Sequence, residues 1–565
     1  MPSPRLGLAE LMRVLLLCSA FNGLSQRVWV ELREAGHEVT VQLSEGDAGI
    51  RAAVAAADPD LVICPFLRER VPEDVWRARP TIVIHPGPPG DRGPSSLDWA
   101  IMNAEGAWGV TALQAVHEMD SGPIWASRSI PMPPVPPRKT DLYNGAIADA
   151  AIESIHEVLA NAVSPGFVPE PQDYERPEVW GRTRPTAGQA DRQFEWGDPT
   201  ERILRRIRAA DGTPGVSTWL CGLPVAVYDA HLGRLPACDE GEPGSVAARR
   251  HGAVLVRTGD GAVWVGHLRC RDDGWAAGVK LPASVVLSNH LGGVPEVADD
   301  AGYREIGYRR DGAVGVVSFR FYNGAMSTAQ SRRLEAALRH AITQDTRVLL
   351  LRGGQPFSNG IHLGVIEAAA DPAREAWHNI VAVDDVCQRI LSCTGQLVVA
   401  SVAGPAGAGG VMLALAADRV LLRNGVVLNP HYQRMGLYGS EYWTYVLPRR
   451  VGPSSAASLT AECLPIGARE AARLGLADET IVGSIPDFDD AAYRYAATLA
   501  ASHDYDDRLA RKQAARTMDE QRRPLEDHRR VELSEMRADI IDDRNGFAAA
   551  RRSFIRKHAV RLRAA

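Results

Sequence analysis

Short apolar runs alternate with stretches of helical spacing along the first hundred positions. Residues 13–18 (Arg-Val-Leu-Leu-Leu-Cys) read as a buried strand, and residues 26–35 place apolar side chains at helical intervals. Gly36 ends that helix, residues 38–43 resume a strand, and a helix over 49–57 precedes strands over 61–64 and 81–85. Such alternation predicts a parallel sheet with helices on both faces. The first turn, Ser19-Ala20-Phe21-Asn22-Gly23, lacks the GxGxxG spacing of a dinucleotide site.

The pattern then changes. Residues 165–191 are rich in Pro, Gly and charge and read as a connector. Short alternating strands such as 253–257 and 262–267, with one helix at 200–209, suggest a small β-barrel-like module. A second α/β pattern starts near Gly312, with a strand over 314–321, a helix over 328–343 and a strand over 347–352. Beyond about residue 500 the chain is charged and helical. The expected fold class is therefore multidomain α/β, divided at 12–190, 191–295, 300–500 and 501–565.

Composition narrows the classes. A chain of 565 residues exceeds one hydrophobic core, and 45% hydrophobic with 23% charged residues is ordinary for a globular protein. A net charge of −6 gives no electrostatic reason to expect nucleic acid or a membrane surface as partner. The eight cysteines are scattered without a CxxC pair, so zinc-ribbon and dithiol chemistry have no support and no metal is expected. No apolar stretch nears the roughly 20 residues that span a bilayer. The run at 14–18 is too short for a signal-peptide core, and the expected location is cytoplasmic.

Candidate chemistry begins at a strand that runs into a Gly/Pro-rich loop, Ile82-Val83-Ile84-His85-Pro86-Gly87-Pro88-Pro89-Gly90-Asp91-Arg92-Gly93-Pro94. This presents His85 at the carboxyl edge of the sheet, where open α/β sheets bind ligands. Downstream come Gly109-Val110-Thr111 and Asp120-Ser121-Gly122. The ordered set resembles the 10-formyltetrahydrofolate-dependent formyltransferases. That resemblance implies catalytic roles for His85 and Asp120, a pterin-binding segment at Phe66-Leu67-Arg68, and a cofactor contact at Arg92. Those enzymes also use an Asn two residues before the His; Val83 stands there and cannot donate to an oxyanion. Residues 192–235 resemble their smaller C-terminal module.

Two further Gly-rich turns follow strands: Phe357-Ser358-Asn359-Gly360-Ile361-His362, and Gly404-Pro405-Ala406-Gly407-Ala408-Gly409-Gly410. Turns that open helices expose backbone N–H groups at the positive end of the helix dipole. Facing one another, they would form an oxyanion hole for a thioester. Their order resembles the crotonase, or enoyl-CoA hydratase/isomerase, superfamily. The resemblance implies oxyanion donors at Ile361 and Gly409 and a coenzyme-binding segment at Asn323-Gly324-Ala325. Met412 replaces a hydratase glutamate, which argues against simple water addition, while Tyr438 and Glu441 remain to reach a small acyl unit. In the C-terminal helix Arg551 and Arg552 are candidates for coenzyme A phosphates, against the alternative of a solvated basic face.

A formyltransferase followed by a crotonase resembles the HypX family, which serves NiFe-hydrogenase maturation. The resemblance starts at Met12, leaving the first eleven residues as an extension. It implies two steps: formyl transfer from 10-formyltetrahydrofolate to coenzyme A, then decarbonylation of formyl-CoA to carbon monoxide and coenzyme A. Hydrogenase maturation proteins would receive the carbon monoxide. Two alternatives stay open: an amine formyltransferase fused to an enoyl-CoA hydratase or isomerase, and a non-catalytic protein that binds folate and coenzyme A.

Overall fold

The computed structural model describes residues 11–235, 240–271, 278–297 and 302–556. All but Leu11 of the expected extension, and Lys557 of the C-terminal basic segment, lie outside them.

The first unit carries strands β1 (Arg13–Cys18), β2 (Glu38–Leu43), β3 (Leu61–Phe66), β4 (Thr81–His85), β5 (Ala107–Gln114) and β6 (Ile124–Pro131), in the order β2-β1-β3-β4-β5-β6. The parallel arrangement expected from the sequence holds for β1 to β4, and the sheet is extended by β5 and β6, which run antiparallel. Strand alternation divides β1 between two cores. Val14 and Leu16 pack with Leu24, Val28 and Leu32 of the helix Gly23–Glu34, while Leu15 and Leu17 pack with Ile50. Burying each such leucine contributes about 1.5–3 kcal/mol.

The second unit is a barrel-like sheet of β7 (Val216–Leu220), β8 (Leu223–Gly233), β9 (Val246–Arg250), β10 (Ala253–Arg257), β11 (Ala262–Cys270) and β12 (Lys280–Pro282). The third has β13 (Ile306–Asp311), β14 (Val314–Phe319), β15 (Val348–Arg352), β16 (Leu397–Val402), β17 (Ala406–Gly407), β18 (Arg419–Arg423), β19 (Val427–Asn429), β20 (Ile466–Gly467) and β21 (Glu479–Ile481). Its main sheet is β13-β14-β15-β16-β18-β21, and β17-β19-β20 form a small second sheet. The C-terminal region is helical over Tyr505–Arg522, Leu525–Ile540 and Phe547–Arg556.

The connector is not a loose tether. The Gly181 N–H donates to Pro89 O (2.8 Å) and the Arg184 N–H to Arg92 O (3.0 Å), so it runs along the loop after His85. A side chain at Gly181 would stand 2.0 Å from the Asp91 nitrogen, which only glycine avoids.

All three units meet at Asp211, which is fully buried. One carboxylate oxygen accepts from the Tyr322 hydroxyl of the third unit (3.1 Å) and from the Asp229 N–H of β8 (3.0 Å). The other accepts from Thr140 Oγ1 of the first unit (2.9 Å). Arg138 bridges the same junction, 2.9 Å from both Asp141 and Asp229. Asp211→Ala strands three donors at once. Its expected effect is a loss of about 3 kcal/mol or more, read by denaturant unfolding.

Candidate functional sites

The first site lies where β4 ends. His85 is buried, with Nε2 2.8 Å from Asp91 Oδ2 and Nδ1 3.7 Å from Asp120 Oδ1. Asp120 takes a left-handed backbone (φ 56°) and accepts from the Gly93 N–H (3.1 Å), so the loop and the second carboxylate brace each other. Burial alone would lower the pKa of His85. The Asp91 hydrogen bond and the charges of Asp120 and Asp91 outweigh it and raise that pKa above its ordinary value. Loop carbonyls are fixed from below: Trp108 Nε1 donates to Pro86 O (3.0 Å) and Thr111 Oγ1 to Gly87 O (2.8 Å). A side chain at Gly87 would stand 2.3 Å from Asp91 Oδ2, so the loop needs glycine to seat this carboxylate.

Asp91 is the group that sequence reasoning missed. It stands inside the quoted loop, and a lone Asp between glycines in an otherwise apolar turn was the available signal. Val83 shares the His85 face of β4 and packs in the apolar cluster with Leu67 and Cys64. β3 runs through Pro65 to Phe66, whose carbonyl accepts from the Ser19 N–H (2.7 Å). Arg68 donates its N–H to Ser19 Oγ (2.8 Å) and lays its guanidinium over the Phe66 ring. The Arg92 guanidinium sits 3.3 Å from Glu118 and over the Tyr174 ring.

The second site is a cavity of about 990 Å³ between the barrel-like module and the third unit. Its walls include His267, Arg269 and Lys280 from the module and Asn323, Ile361, Gly409 and Glu441 from the third unit. The two Gly-rich turns are joined by the Gly407 N–H donating to Ser358 O (2.9 Å), and a methyl group on Gly360 would lie 3.4 Å from the Gly409 nitrogen. Among the described residues no hydrogen bond uses the Ile361 or Gly409 N–H. Asn323, in a left-handed conformation (φ 56°), offers its carbonyl to Asn359 Nδ2 (2.8 Å).

Glu441 is nearly sealed from solvent, yet it lines this cavity. A side chain at Gly409 would stand 2.3 Å from Glu441 Oε1, so this carboxylate abuts the start of the oxyanion helix. Glu441 and Tyr442 are consecutive left-handed residues (φ 61° and 60°), a conformation that costs each of order 1–3 kcal/mol. Two buried carboxylates hold the turn. Asp384 accepts from the Glu441 N–H (2.7 Å), and Glu532 accepts from the N–H groups of Tyr442 and Thr444 (both 2.8 Å). Burial raises the pKa of Glu441 above the ordinary carboxylate range, and that of Glu532 to about 8.

Two expectations are corrected. Tyr438 does not line the cavity; its ring packs on Trp443, and its N–H donates to Asp539 (2.7 Å). Tyr432 does line it, donating its hydroxyl to Glu441 Oε2 (2.8 Å). Arg551 is buried against Glu367 (2.8 Å) and over the Phe547 ring, and Arg552 is exposed; neither lines the cavity. From the same helix it is Phe554, Ile555 and Arg556 that do. Met412, in place of the hydratase glutamate, is fully buried in the core. Among the described residues no group of three or more His, Cys, Asp or Glu side chains is placed to hold a metal, and no helix is long and apolar enough to cross a membrane.

Arg551→Ala should therefore destabilise the fold rather than weaken a ligand site. Stranding buried Glu367 is expected to lower unfolding stability by about 3–5 kcal/mol, measured by denaturant titration.

The "Formyl transferase, C-terminal domain" family model matches residues 188–274, and the "Enoyl-CoA hydratase/isomerase" model matches residues 311–547. Methionyl-tRNA formyltransferase of Roseiflexus sp. is 31% identical over 38% of this chain and 65% of its own. The crystal structure of HypX from Aquifex aeolicus in complex with tetrahydrofolic acid superposes with a TM-score of 0.92, at 39% identity over 97% of each chain. Hydrogenase maturation factor HoxX of Bradyrhizobium diazoefficiens is 44% identical over 97% of this chain and 95% of its own. With two such sites in one chain and that likeness along almost its whole length, this protein belongs to the HypX/HoxX family of hydrogenase maturation factors.

Proposed function

We propose that the protein makes carbon monoxide in two steps, moving a formyl group from 10-formyltetrahydrofolate to coenzyme A and then decarbonylating formyl-CoA. The observation that carries this reading is the composite cavity, whose walls come from both the formyltransferase-like module and the crotonase-like unit. The folate found in the Aquifex relative supports the first substrate.

In the first step the sulfur of coenzyme A adds to the formyl carbon as its proton leaves. His85, whose pKa Asp91 and Asp120 raise, donates to the oxyanion, which Val83 cannot do, and the C–N bond breaks as the tetrahydrofolate nitrogen gains a proton. Phe66-Leu67-Arg68 and Arg92 flank the pterin. In the second step the thioester carbonyl accepts from the Ile361 and Gly409 N–H groups. Glu441, with Tyr432 bonded to it, takes the formyl C–H proton, the C–S bond breaks, carbon monoxide leaves and the thiolate regains a proton. A formyl group has no α-carbon, so the loss of the hydratase carboxylate at Met412 removes nothing this reaction needs. Arg269, Lys280 and Arg556 supply positive charge for the coenzyme phosphates, and Asn323 lies along its arm. Hydrogenase maturation proteins take up the product.

Product analysis tests this reading. The wild-type protein supplied with 10-formyltetrahydrofolate and coenzyme A is expected to release carbon monoxide; a formylated amine, or no turnover, would sink it. His85→Ala should slow formyl transfer by roughly 10²–10⁴-fold. Gly409→Val pushes against Glu441, so formyl-CoA or formate should accumulate without carbon monoxide.

The pH profile gives a separate check. Asp91 raises the His85 pKa, so Asp91→Asn should lower it, and the imidazolium is then lost at lower pH. The alkaline limb of formyl transfer is expected to move toward acid; an unmoved limb would remove His85 as the titrating group.

A further inference from the structure

Facing the cavity from the module side is an imidazole that the two-step scheme leaves idle. His267 of β11 is 3% exposed, and its Nδ1 lies 3.1 Å from Asp229 Oδ2 of β8. Its Nε2 is buried with no hydrogen-bond partner, and the residue lines the cavity wall. Asp229 is ionised. Burial would raise its pKa, but His231, His267 and Arg138 together hold it well below the ordinary carboxylate range. An ionised carboxylate can only accept, so Nδ1 carries a proton toward Asp229, and Nε2 faces the cavity with no hydrogen-bond partner.

The ring is held in place. It stacks on Tyr322 (centroids 4.4 Å apart, planes at 28°), whose hydroxyl is tied to Asp211. His362, one residue after the oxyanion donor Ile361, also lies nearly parallel to it at 6.2 Å. His362 stays neutral, with a pKa near 3 set by burial and by the neighbouring His267, and it accepts from the Val365 N–H. The cations of this region, Arg138 and Lys280, lie over the Tyr322 ring at 5.6 and 5.1 Å, and the carboxylate of Glu305 also faces His267. Asp229 is thus the charge in direct contact with the imidazole.

We propose that His267 accepts the proton of a thiol bound in this cavity, so that coenzyme A rests there as a thiolate–imidazolium pair. The S–H bond breaks, its electron pair stays on sulfur, and the proton passes to Nε2 while Asp229 balances the new charge. When the thiolate is acylated the imidazolium releases that proton to solvent, balancing the one gained by the tetrahydrofolate nitrogen. When the thioester later loses its acyl group, the formyl proton taken by Glu441 reprotonates sulfur. The pair belongs to the formyltransferase-like module but serves sulfur in the crotonase-like cavity, a composite arrangement. This inference rests on coenzyme A being the occupant.

The test is an ultraviolet titration of thiolate in the full-length protein with coenzyme A bound, read against the complex with a dethia analogue that lacks the sulfur. An ordinary thiol titrates near pH 8.5. The bound thiol is expected to titrate at least about one unit lower, a tenfold gain in thiolate fraction at neutral pH, and His267→Gln should abolish the shift while coenzyme A still binds. A wild-type complex whose thiol titrates like the free coenzyme overturns the proposal and leaves the two-step reading standing. A shift that survives in His267→Gln overturns it as well. Failure of the wild type to bind coenzyme A would instead remove the two-step reading itself. If His267→Gln does not fold, Asp229→Asn replaces it, with the same expected loss of the shift.

Discussion

The structure depends on one buried carboxylate shared by three units. Asp211 accepts from Thr140, from the Asp229 backbone and from Tyr322, so the sheet that carries His85, the barrel-like module and the crotonase-like unit close on a common point. Removing a charge from water is expensive, and it is tolerable here because three donors converge on two oxygens. The large cavity opens next to this junction. Tyr322 bonds Asp211 with its hydroxyl and stacks its ring on His267, so the joint that locks the units also shapes the chamber wall. A flexible linkage between the halves could not produce a wall of this kind.

The C-terminal helices serve a second constraint. The turn that presents Glu441 contains two consecutive left-handed residues, which strains it, and much of what holds it lies far along the chain on Leu525–Ile540. Glu532 caps Tyr442 and Thr444, Asp539 caps Tyr438, and Asp384 caps Glu441 from the helix Pro372–Leu391. Burial in the same pocket raises the pKa of Glu441 above the ordinary carboxylate range. Strain and proton affinity thus share one origin, a carboxylate forced into a dry pocket.

Much of this was legible in the sequence, for identifiable reasons. His85 was marked by its place at a strand end before a Gly/Pro loop, and its pairing with Asp120 was what the formyltransferase resemblance implied; the two side chains lie 3.7 Å apart. The facing turns at Ile361 and Gly409 were readable because glycine spacing encodes close backbone approach. What failed was rotation and reach. Tyr438 and Tyr432 look equivalent in sequence, but the 3-10 turn at Tyr432–Met435 and left-handed Gly436 leave only Tyr432 against Glu441. In the last helix the cations were visible but its rotation was not: Arg551 faces Glu367, and Arg556 five residues on lines the cavity. The antiparallel β5 and β6 were missed because a buried strand reads alike in either direction.

We propose that formyl-CoA forms and breaks down without leaving the protein, since formyl thioesters hydrolyse readily and the barrel-like module contributes one wall of the crotonase-side cavity. The most direct measurement supplies 10-formyltetrahydrofolate with an isotopically labelled formyl carbon, coenzyme A, and an excess of unlabelled formyl-CoA, and reads the label in the carbon monoxide released. Carbon monoxide that keeps most of the donor's label is the expected result. Label diluted to the composition of the bulk formyl-CoA pool would contradict an enclosed passage between the two sites.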